Sequence, residues 1–129
     1  MDCIFCKIIN GDIKSNTIYE DDLVKVFLDV NPNTNGHMLI VPKKHYKNIM
    51  DIDESLIPHI HKVIKNLYDV LKDKLGCEGL TICQNNDLGQ EVKHIHFHLI
   101  PRYSNDEFKI SKNEKILVNV DDVYEQLKD

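Results

Sequence analysis

The chain has no surplus of basic residues and no long apolar run. Its 21 aspartates and glutamates outnumber its 16 lysines and arginines, which gives a formal charge of −5. General binders of nucleic acid or of acidic membranes carry a basic face, so this balance argues against both classes. No apolar run approaches the length of a membrane span, and the N-terminus lacks the pattern of a signal peptide. We therefore expect a cytoplasmic protein whose partners include neither a nucleic-acid polymer nor a membrane.

Cysteine is scarce, and the second cysteine pair that a zinc knuckle needs is missing. Cys3 and Cys6 have the Cys-x-x-Cys spacing of two thiolate ligands on one tetrahedral zinc. Cys77 and Cys83 are too widely spaced to form a matching pair, so any further ligands would be histidines. The spacing alone also fits two buried thiols or a redox pair, because cysteines of cytosolic proteins rarely form disulfides.

Histidine is concentrated in residues 94–102, which read His-Ile-His-Phe-His-Leu-Ile-Pro-Arg. Such alternation is typical of a half-buried β-strand, with the histidines on one face and apolar residues on the core face. The strand should end near Pro101, which cannot donate to a sheet ladder. The Cα atoms of His94 and His98 would lie about 13 Å apart, too far for both rings to bind one zinc at about 2 Å. A row that binds and attacks an extended anionic group is favoured over a solvated histidine face.

The rest of the chain has the pattern of an α+β fold. Short apolar segments bounded by turn residues predict strands at residues 17–20, 23–30, 37–42 and 79–84. Apolar residues three and four positions apart predict one long helix over residues 55–75. Ser55 is expected to cap the start of this helix, and Gly76 is expected to end it.

The histidine stretch resembles the signature of the histidine-triad (HIT) family, His-φ-His-φ-His-φ-φ with φ apolar, at residues 94–100. The resemblance covers residues 3–102 and implies a single HIT domain over residues 1–129. Its implied fold is an antiparallel sheet of about five strands with one long helix and a short N-terminal helix. Residues 103–129 form a C-terminal tail whose role the resemblance does not define. There the sequence pattern predicts a strand at residues 116–120 and a short helix capped by Asp121 or Asp122.

HIT proteins are nucleotide hydrolases and transferases in which the middle histidine attacks the α-phosphate of a bound nucleotide. The resemblance implies catalytic roles for His96 as the nucleophile and for His98 and His37 as groups that hold the nonbridging oxygens. A histidine suits the attack because it is nucleophilic and largely unprotonated near pH 7.

The resemblance also implies a set of nucleotide-binding residues. The apolar side chains around the base would be Ile4, Phe5, Ile8 and Phe27, and Asp29 would bind the ribose hydroxyls. The phosphate would be bound by His98 and by a loop that contains Asn85 (or Asn86), Gly89, Gln90 and Glu91. Without the resemblance, the apolar members would be interpreted as ordinary core. Glu91 departs from the family pattern, because many relatives have Ser or Thr there, and the loop is also shorter than in some relatives. Both departures bear on the leaving group and leave the nucleophile unaffected.

One branch of the family, the zinc-carrying Hint-like proteins, has a ligand set that this chain matches at Cys3, Cys6, His45 and His94. Four nitrogen and sulfur ligands with no position left for water describe a structural site. The resemblance therefore implies one structural zinc per chain. Family members are homodimers joined by the long helix and a sheet edge, so a homodimer is also expected.

The expected function is hydrolysis at the α-phosphate of purine nucleoside phosphoramidates, or of related nucleotide conjugates, through a nucleotidyl-histidine intermediate. Two alternatives remain open. The same nucleophile would serve a dinucleoside polyphosphate hydrolase or a nucleotidyl transferase. A nucleotide-binding interaction protein with incidental activity would have the same pocket but much slower turnover.

Overall fold

A computed structural model describes residues 2–129 of the chain. This part contains three α-helices and five strands: α1 (Ile4–Ile9), α2 (Leu56–Leu75), α3 (Val120–Leu127), β1 (Thr17–Glu20), β2 (Val24–Leu28), β3 (Met38–Pro42), β4 (Gly79–Cys83) and β5 (Phe97–Arg102). The strands form one antiparallel sheet in the order β1-β2-β3-β5-β4. The predicted α+β fold, with its long helix and its short N-terminal helix, is confirmed. Among residues 2–129, no helix is both long enough and apolar enough to cross a bilayer.

β3 lies in the middle of the sheet and is buried on both faces. Met38 and Ile40 contribute to the larger core, which α2 covers, whereas Leu39 and Val41 contribute to a smaller core with α1. This division follows from the two-residue period of an extended chain. His98 of β5 lies opposite Leu39, and directly opposed residues share a face. The sheet therefore presents His98 on the same side as α1.

α2 covers the larger core with a stripe of buried residues at helical spacing: Leu56, Ile60, Val63, Leu67 and Leu71. The predicted helix over residues 55–75 agrees with these bounds. The helix ends at Gly76, whose φ of 68° is left-handed, a conformation that glycine adopts without a Cβ penalty. At its start, Ser55 occupies the predicted N-cap position, but its side chain makes no capping hydrogen bond. Instead, Asp53 Oδ1 accepts a hydrogen bond from Ser55 N at 2.9 Å.

β5 begins at Phe97, so the prediction of a strand from His94 is wrong at its start. The alternating pattern continues through residues 94–96, but Ile95 N donates to Tyr46 O at 2.8 Å rather than to a neighbouring strand. The strand ends at Arg102, one residue after Pro101. Proline is tolerated at this position because the pairing of β5 with β3 stops at Leu99, so β3 needs no hydrogen bond from Pro101. The Pro101 carbonyl accepts from Thr34 Oγ1 at 2.6 Å instead.

The tail differs from its prediction. The predicted strand at residues 116–120 is wrong, because Glu114–Ile116 form a 3-10 helix and α3 begins at Val120. The N-cap of α3 is Asn119, whose side chain accepts from Asp121 N at 2.8 Å, so the predicted cap at Asp121 or Asp122 is also wrong. The short apolar run has the composition of a strand, but Asn119 provides a local start for a helix instead.

Candidate active site

His96 is buried just before β5 and is held there by the backbone and by α1. Its Nδ1 lies 2.8 Å from the carbonyl oxygen of His94, and the ring of Phe5 packs against it edge to face at 4.9 Å between centroids. A carbonyl oxygen can only accept, so Nδ1 carries the proton and donates it. In neutral His96 the lone pair therefore lies on Nε2, the nitrogen that a nucleophile would use.

A second chain of hydrogen bonds fixes the protons of His37 and His98. Asn33 N–H donates to His37 Nδ1 at 3.0 Å, so neutral His37 carries its proton on Nε2. That proton is donated to His98 Nδ1 at 2.9 Å, and Asp29 Oδ2 lies 3.5 Å from the same His37 nitrogen. Neutral His98 must then carry its own proton on Nε2. His98 is therefore set up as a donor, whereas His96 offers a lone pair.

The same proton positions bear on metal binding by Asp29, His37 and His98. Their ligand atoms lie within 4.8 Å of one another, close enough to surround a cation. However, a metal needs a lone pair on His37 Nε2, and the hydrogen bond from Asn33 N places the proton there. These three side chains are therefore interpreted as a hydrogen-bonded chain.

Burial keeps these histidines neutral. Burial lowers the pKa of His37 and of His96, and the charge of Asp29 opposes it in both cases. For His98, burial and then the neighbouring His96 and His37 lower the pKa to about 4. Neutral imidazole is the form that can attack phosphorus, so the environment favours the reactive state near pH 7.

A cavity of about 490 Å³ opens between α1 and the C-terminal end of β2. It is lined by the predicted pocket residues Ile4, Phe5, Ile8, Phe27, Asp29 and Glu91. Phe5 and Phe27 meet edge to face at 5.6 Å between centroids. Sequence reasoning missed Leu39, Asn31 and residues 13–16, which also line the cavity and belong to no motif. The cavity therefore offers apolar side chains together with the carboxylates of Asp29 and Glu91.

The predicted phosphate loop is brought to the site only in part. Glu91 lines the cavity. The side chain of Gln90, in contrast, is buried, and its Nε2 donates to Lys47 O at 2.6 Å in the segment that follows β3. Asn85 is exposed, and the loop is anchored by Asn86, whose Oδ1 accepts from Ile49 N at 2.8 Å. Gly89 has a left-handed backbone with φ of 93°. The Gln90 backbone N–H donates to Asp87 O at 3.0 Å, so of these two residues Gly89 is the one that would offer a backbone amide to a phosphate.

Cys3, Cys6, His45 and His94 converge close to the segment that carries His96. The His94 Nδ1 atom lies 3.4 Å from Cys3 Sγ and 3.6 Å from Cys6 Sγ, and His45 Nδ1 lies 3.3 Å from Cys6 Sγ. These separations are close to the edge of a ligand tetrahedron around zinc, about 3.5 Å for bonds of about 2.3 and 2.1 Å. His94 Nε2 donates to Pro42 O at 2.8 Å, which leaves the Nδ1 lone pair facing the thiols. The four residues fit a tetrahedral metal site, which would tie α1 to the segments that carry His45 and His94.

Comparison with known proteins agrees with the sequence resemblance. A family model described as the HIT domain matches residues 10–105. An uncharacterised HIT-like protein of Methanocaldococcus jannaschii is 45% identical over 128 residues, 98% of each chain. An adenosine 5′-monophosphoramidase of Candida albicans is 42% identical over 106 residues, 78% of this chain and 70% of the relative. The crystal structure of a zinc-bound histidine triad family protein from Mycobacterium smegmatis matches with a TM-score of 0.80 and 31% identity, over 88% of this chain and 84% of the other.

Proposed function

The chain belongs to the HIT family, and from that premise we propose that it hydrolyses purine nucleoside phosphoramidates, or related nucleotide conjugates, at the α-phosphate. The observation that carries the proposal is the hydrogen bond from His96 Nδ1 to His94 O. It leaves the lone pair of a buried, neutral imidazole on Nε2. The ring of His96 packs against Phe5, which also lines the cavity that can accept a nucleoside. The similarity to a fungal adenosine 5′-monophosphoramidase supports the choice of substrate class.

In the proposed reaction His96 Nε2 attacks the α-phosphorus. The P–N bond of the phosphoramidate breaks, and the leaving amine takes the bonding electron pair and a proton from solvent, which the attacking water returns in the second step. The product is a nucleotidyl-histidine, and water then attacks the same phosphorus to release the nucleoside monophosphate and regenerate His96. The proton on His98 Nε2 is available to a nonbridging oxygen. His37 already donates to His98, so we assign it to orienting His98 rather than to a direct phosphate contact.

The nucleoside would occupy the cavity between α1 and β2. Ile4, Phe5, Ile8 and Phe27 would enclose the base, and the Asp29 carboxylate would accept from the two ribose hydroxyls. Asp29 Oδ1 is oriented by Asn31 N at 2.8 Å, which supports a fixed position for the carboxylate. Gly89 and Glu91 would offer backbone amides to the phosphate, because Gln90 N already donates to Asp87 O at 3.0 Å.

We further propose that the Cys3, Cys6, His45 and His94 site holds one structural zinc per chain. The support is the donor set, the spacing of its atoms and the zinc-bound relative from Mycobacterium smegmatis. Zinc held by four protein ligands would stabilise the fold and take no part in the reaction. All four cysteines of the chain carry free thiols, which suits a reducing compartment, and we propose a cytoplasmic location.

A homodimer is proposed from the family resemblance and from surfaces that this chain leaves exposed. β4 forms an edge of the sheet, with Ile82 half exposed on it. α3 exposes the apolar stripe Val120, Tyr124 and Leu127 at 79%, 60% and 78%. An eight-residue helix is marginal alone in water, so a second copy that covers this stripe would stabilise it.

The direct test of the proposed activity is a parallel assay of an adenosine phosphoramidate and a diadenosine polyphosphate, with His96→Ala as the inactive control. The proposal expects faster turnover of the phosphoramidate. Preference for the diadenosine substrate would indicate a dinucleoside polyphosphate hydrolase. Negligible turnover of both, together with tight binding of adenosine monophosphate, would indicate a nucleotide-binding interaction protein.

A further inference from the structure

The 85–91 loop rests on the segment at residues 45–49, which follows β3. Ile49 N donates to Asn86 Oδ1 at 2.8 Å, and Asn48 Nδ2 donates to Asp87 Oδ1 at 3.0 Å. In the opposite direction, the side chain of Gln90 donates to the backbone of this segment. Three hydrogen bonds therefore connect the loop to a segment far from it in sequence.

This loop adopts a backbone conformation that local preferences do not favour. Asp87 has a φ of 62° and Gly89 a φ of 93°. The left-handed region suits glycine and costs energy for a residue with a Cβ atom, although aspartate adopts it more readily than most. Leu88, which lies between them, is fully exposed, so its side chain adds no packing. Such a conformation persists only where surrounding contacts fix it.

Two buried side-chain amides supply those contacts. Asn48 and Gln90 are 6% and 4% exposed. Asn48 Oδ1 accepts from Met50 N at 2.9 Å, which directs its Nδ2 towards Asp87. Gln90 Oε1 accepts from Asp87 N at 3.1 Å, while its Nε2 bonds Lys47 O. Each amide uses its acceptor and its donor at once, so Asp87 is held at both its backbone and its carboxylate.

We propose that Asn48 is a positioning residue that acts through Asp87 to set the 85–91 loop for the phosphate of a nucleotide. This inference rests on the proposed function, which assigns the phosphate to the loop. Asn48 itself would not touch the ligand. If its contact with Asp87 is lost, the Asp87 carboxylate loses its buried donor, and the left-handed turn is held only by the contacts of Gln90 and Lys93 with the Asp87 backbone. The amides of Gly89 and Glu91 would then move relative to His96. The base and ribose are held by α1 and β2, so nucleoside binding does not depend on this contact.

The test compares Asn48→Ala with Met50→Ala, a control in the same segment whose side chain is 86% exposed. Three quantities are measured: turnover of an adenosine phosphoramidate, affinity for adenosine monophosphate and affinity for adenosine. In Asn48→Ala, turnover and monophosphate affinity should each fall by about tenfold or more, while adenosine affinity stays within about twofold of wild type. Met50→Ala should match wild type. Equal losses for adenosine and its monophosphate would overturn the proposal, because they would indicate general damage to the fold.

A second measurement does not depend on hydrolysis. Gly89 is one of five glycines, so its backbone amide resonance can be followed in ligand-free protein. In Asn48→Ala this resonance should shift or broaden, whereas that of Gly76, at the C-terminal end of α2, should not. An unchanged Gly89 resonance would overturn the proposal.

A double-mutant comparison separates this role from general stability. Asp87→Gly removes the Cβ penalty of the left-handed turn, so Asn48→Ala should cost less monophosphate affinity in that background than in wild type. Fully additive losses would contradict the proposal. If wild type does not hydrolyse phosphoramidates, the proposed activity fails, but the resonance and the ratio of affinities still decide the role of Asn48.

Discussion

At the scale of single residues, hydrogen bonds to backbone groups give chemically identical histidines different tasks. His94 O accepts from His96 Nδ1, and Asn33 N donates to His37 Nδ1. The first contact leaves a lone pair on His96 Nε2, and the second makes His37 a donor to His98. The proposed nucleophile, His96, and the proposed phosphate donor, His98, therefore differ in which ring nitrogen carries the proton.

The Asp29 carboxylate tests the assignment of the nucleoside cavity. Asp29→Ala should weaken binding of adenosine monophosphate by about 1–3 kcal/mol, the scale of hydrogen bonds to a charged group. It should also remove discrimination against the 2′-deoxy analogue, because the lost acceptor serves the ribose hydroxyls. Calorimetric titration with both nucleotides measures the two effects. If Asp29→Ala retains full discrimination, the cavity has been assigned to the wrong part of the ligand.

The titration of His98 predicts how stability depends on pH. Burial and the neighbouring His96 and His37 lower its pKa from its usual 6.5 to about 4, against an opposing effect of Asp29; Cys83 faces it from β4. Between these two values the unfolded chain binds more protons than the folded chain. The contribution of His98 to the free energy of unfolding is therefore complete above about pH 6.5 and decreases as the pH falls towards about 4.

His98→Asn isolates this contribution, because the asparagine carbonyl can still accept from His37 and does not titrate. Urea unfolding of both proteins across this pH range should show a steeper loss of stability on acidification for wild type than for the variant. Groups that do not contact His98 are the same in both proteins and cancel in the difference, whereas the difference includes the interaction of His98 with its neighbours His37 and His96. Parallel curves for the two proteins would show that His98 is not the group held neutral by burial.

At the scale of elements, α1 depends on tertiary contacts. It has six residues, too few for a stable isolated helix, and it is held by the buried Phe5 and Ile8 and by the cluster at Cys3 and Cys6. Cys6→Ser should lower the melting temperature more than it lowers affinity for adenosine monophosphate, because zinc binding contributes to folding while Phe5 and Ile8 still pack.

The matched control is Cys83→Ser, which changes a half-buried thiol on β4 outside the cluster. It should leave the metal content at the wild-type value. Elemental analysis of wild type purified without chelator should give one zinc per chain. Protein without zinc would exclude the assignment of the site.

Sequence patterns predicted the elements with a strong period and failed where a partner segment decides the structure. The stripe of α2 fixed its length to within a residue because helical packing repeats along the whole element. The alternation from His94 onwards indicates the face on which each side chain lies, but it does not show whether a neighbouring strand is present. Ile95 bonds to Tyr46 instead, so β5 starts three residues later than the pattern.

Some residues of the candidate site could likewise be predicted from the sequence, and others could not. The triad and the Cys-x-x-Cys pair could be recognised because their chemistry depends on residue type and spacing. Asn33, Asn48 and Asp87 could not, because their roles depend on which backbone group they meet after folding. An asparagine in a loop has many ordinary uses, and its type alone does not distinguish them.

At the scale of the whole molecule, the proposed dimer predicts a dependence on the tail. Light scattering should give twice the chain mass for wild type. Leu127→Asp combined with Tyr124→Asp places charge on the exposed stripe of α3 without disturbing the core of one chain, and it should shift the equilibrium towards monomer. Gln126→Asp, on the same helix but outside the stripe, serves as the control. A monomeric wild type would contradict the proposal.

The proposed reaction depends on His96 as the covalent nucleophile. His96→Ala should remove nearly all turnover and leave nucleotide binding largely intact, because the ring contributes mainly along the reaction path. His94 is not available for this role, since its Nε2 donates to Pro42 O and its Nδ1 faces the thiols.

The most direct measurement is acid-quench mass spectrometry of wild type during turnover of a slow adenosine phosphoramidate, followed by peptide mapping. If His96 is the nucleophile, we expect an adenylyl adduct on His96 that is absent from His96→Ala. An adduct on His94, His98 or any other residue, or turnover that survives in His96→Ala, would contradict it.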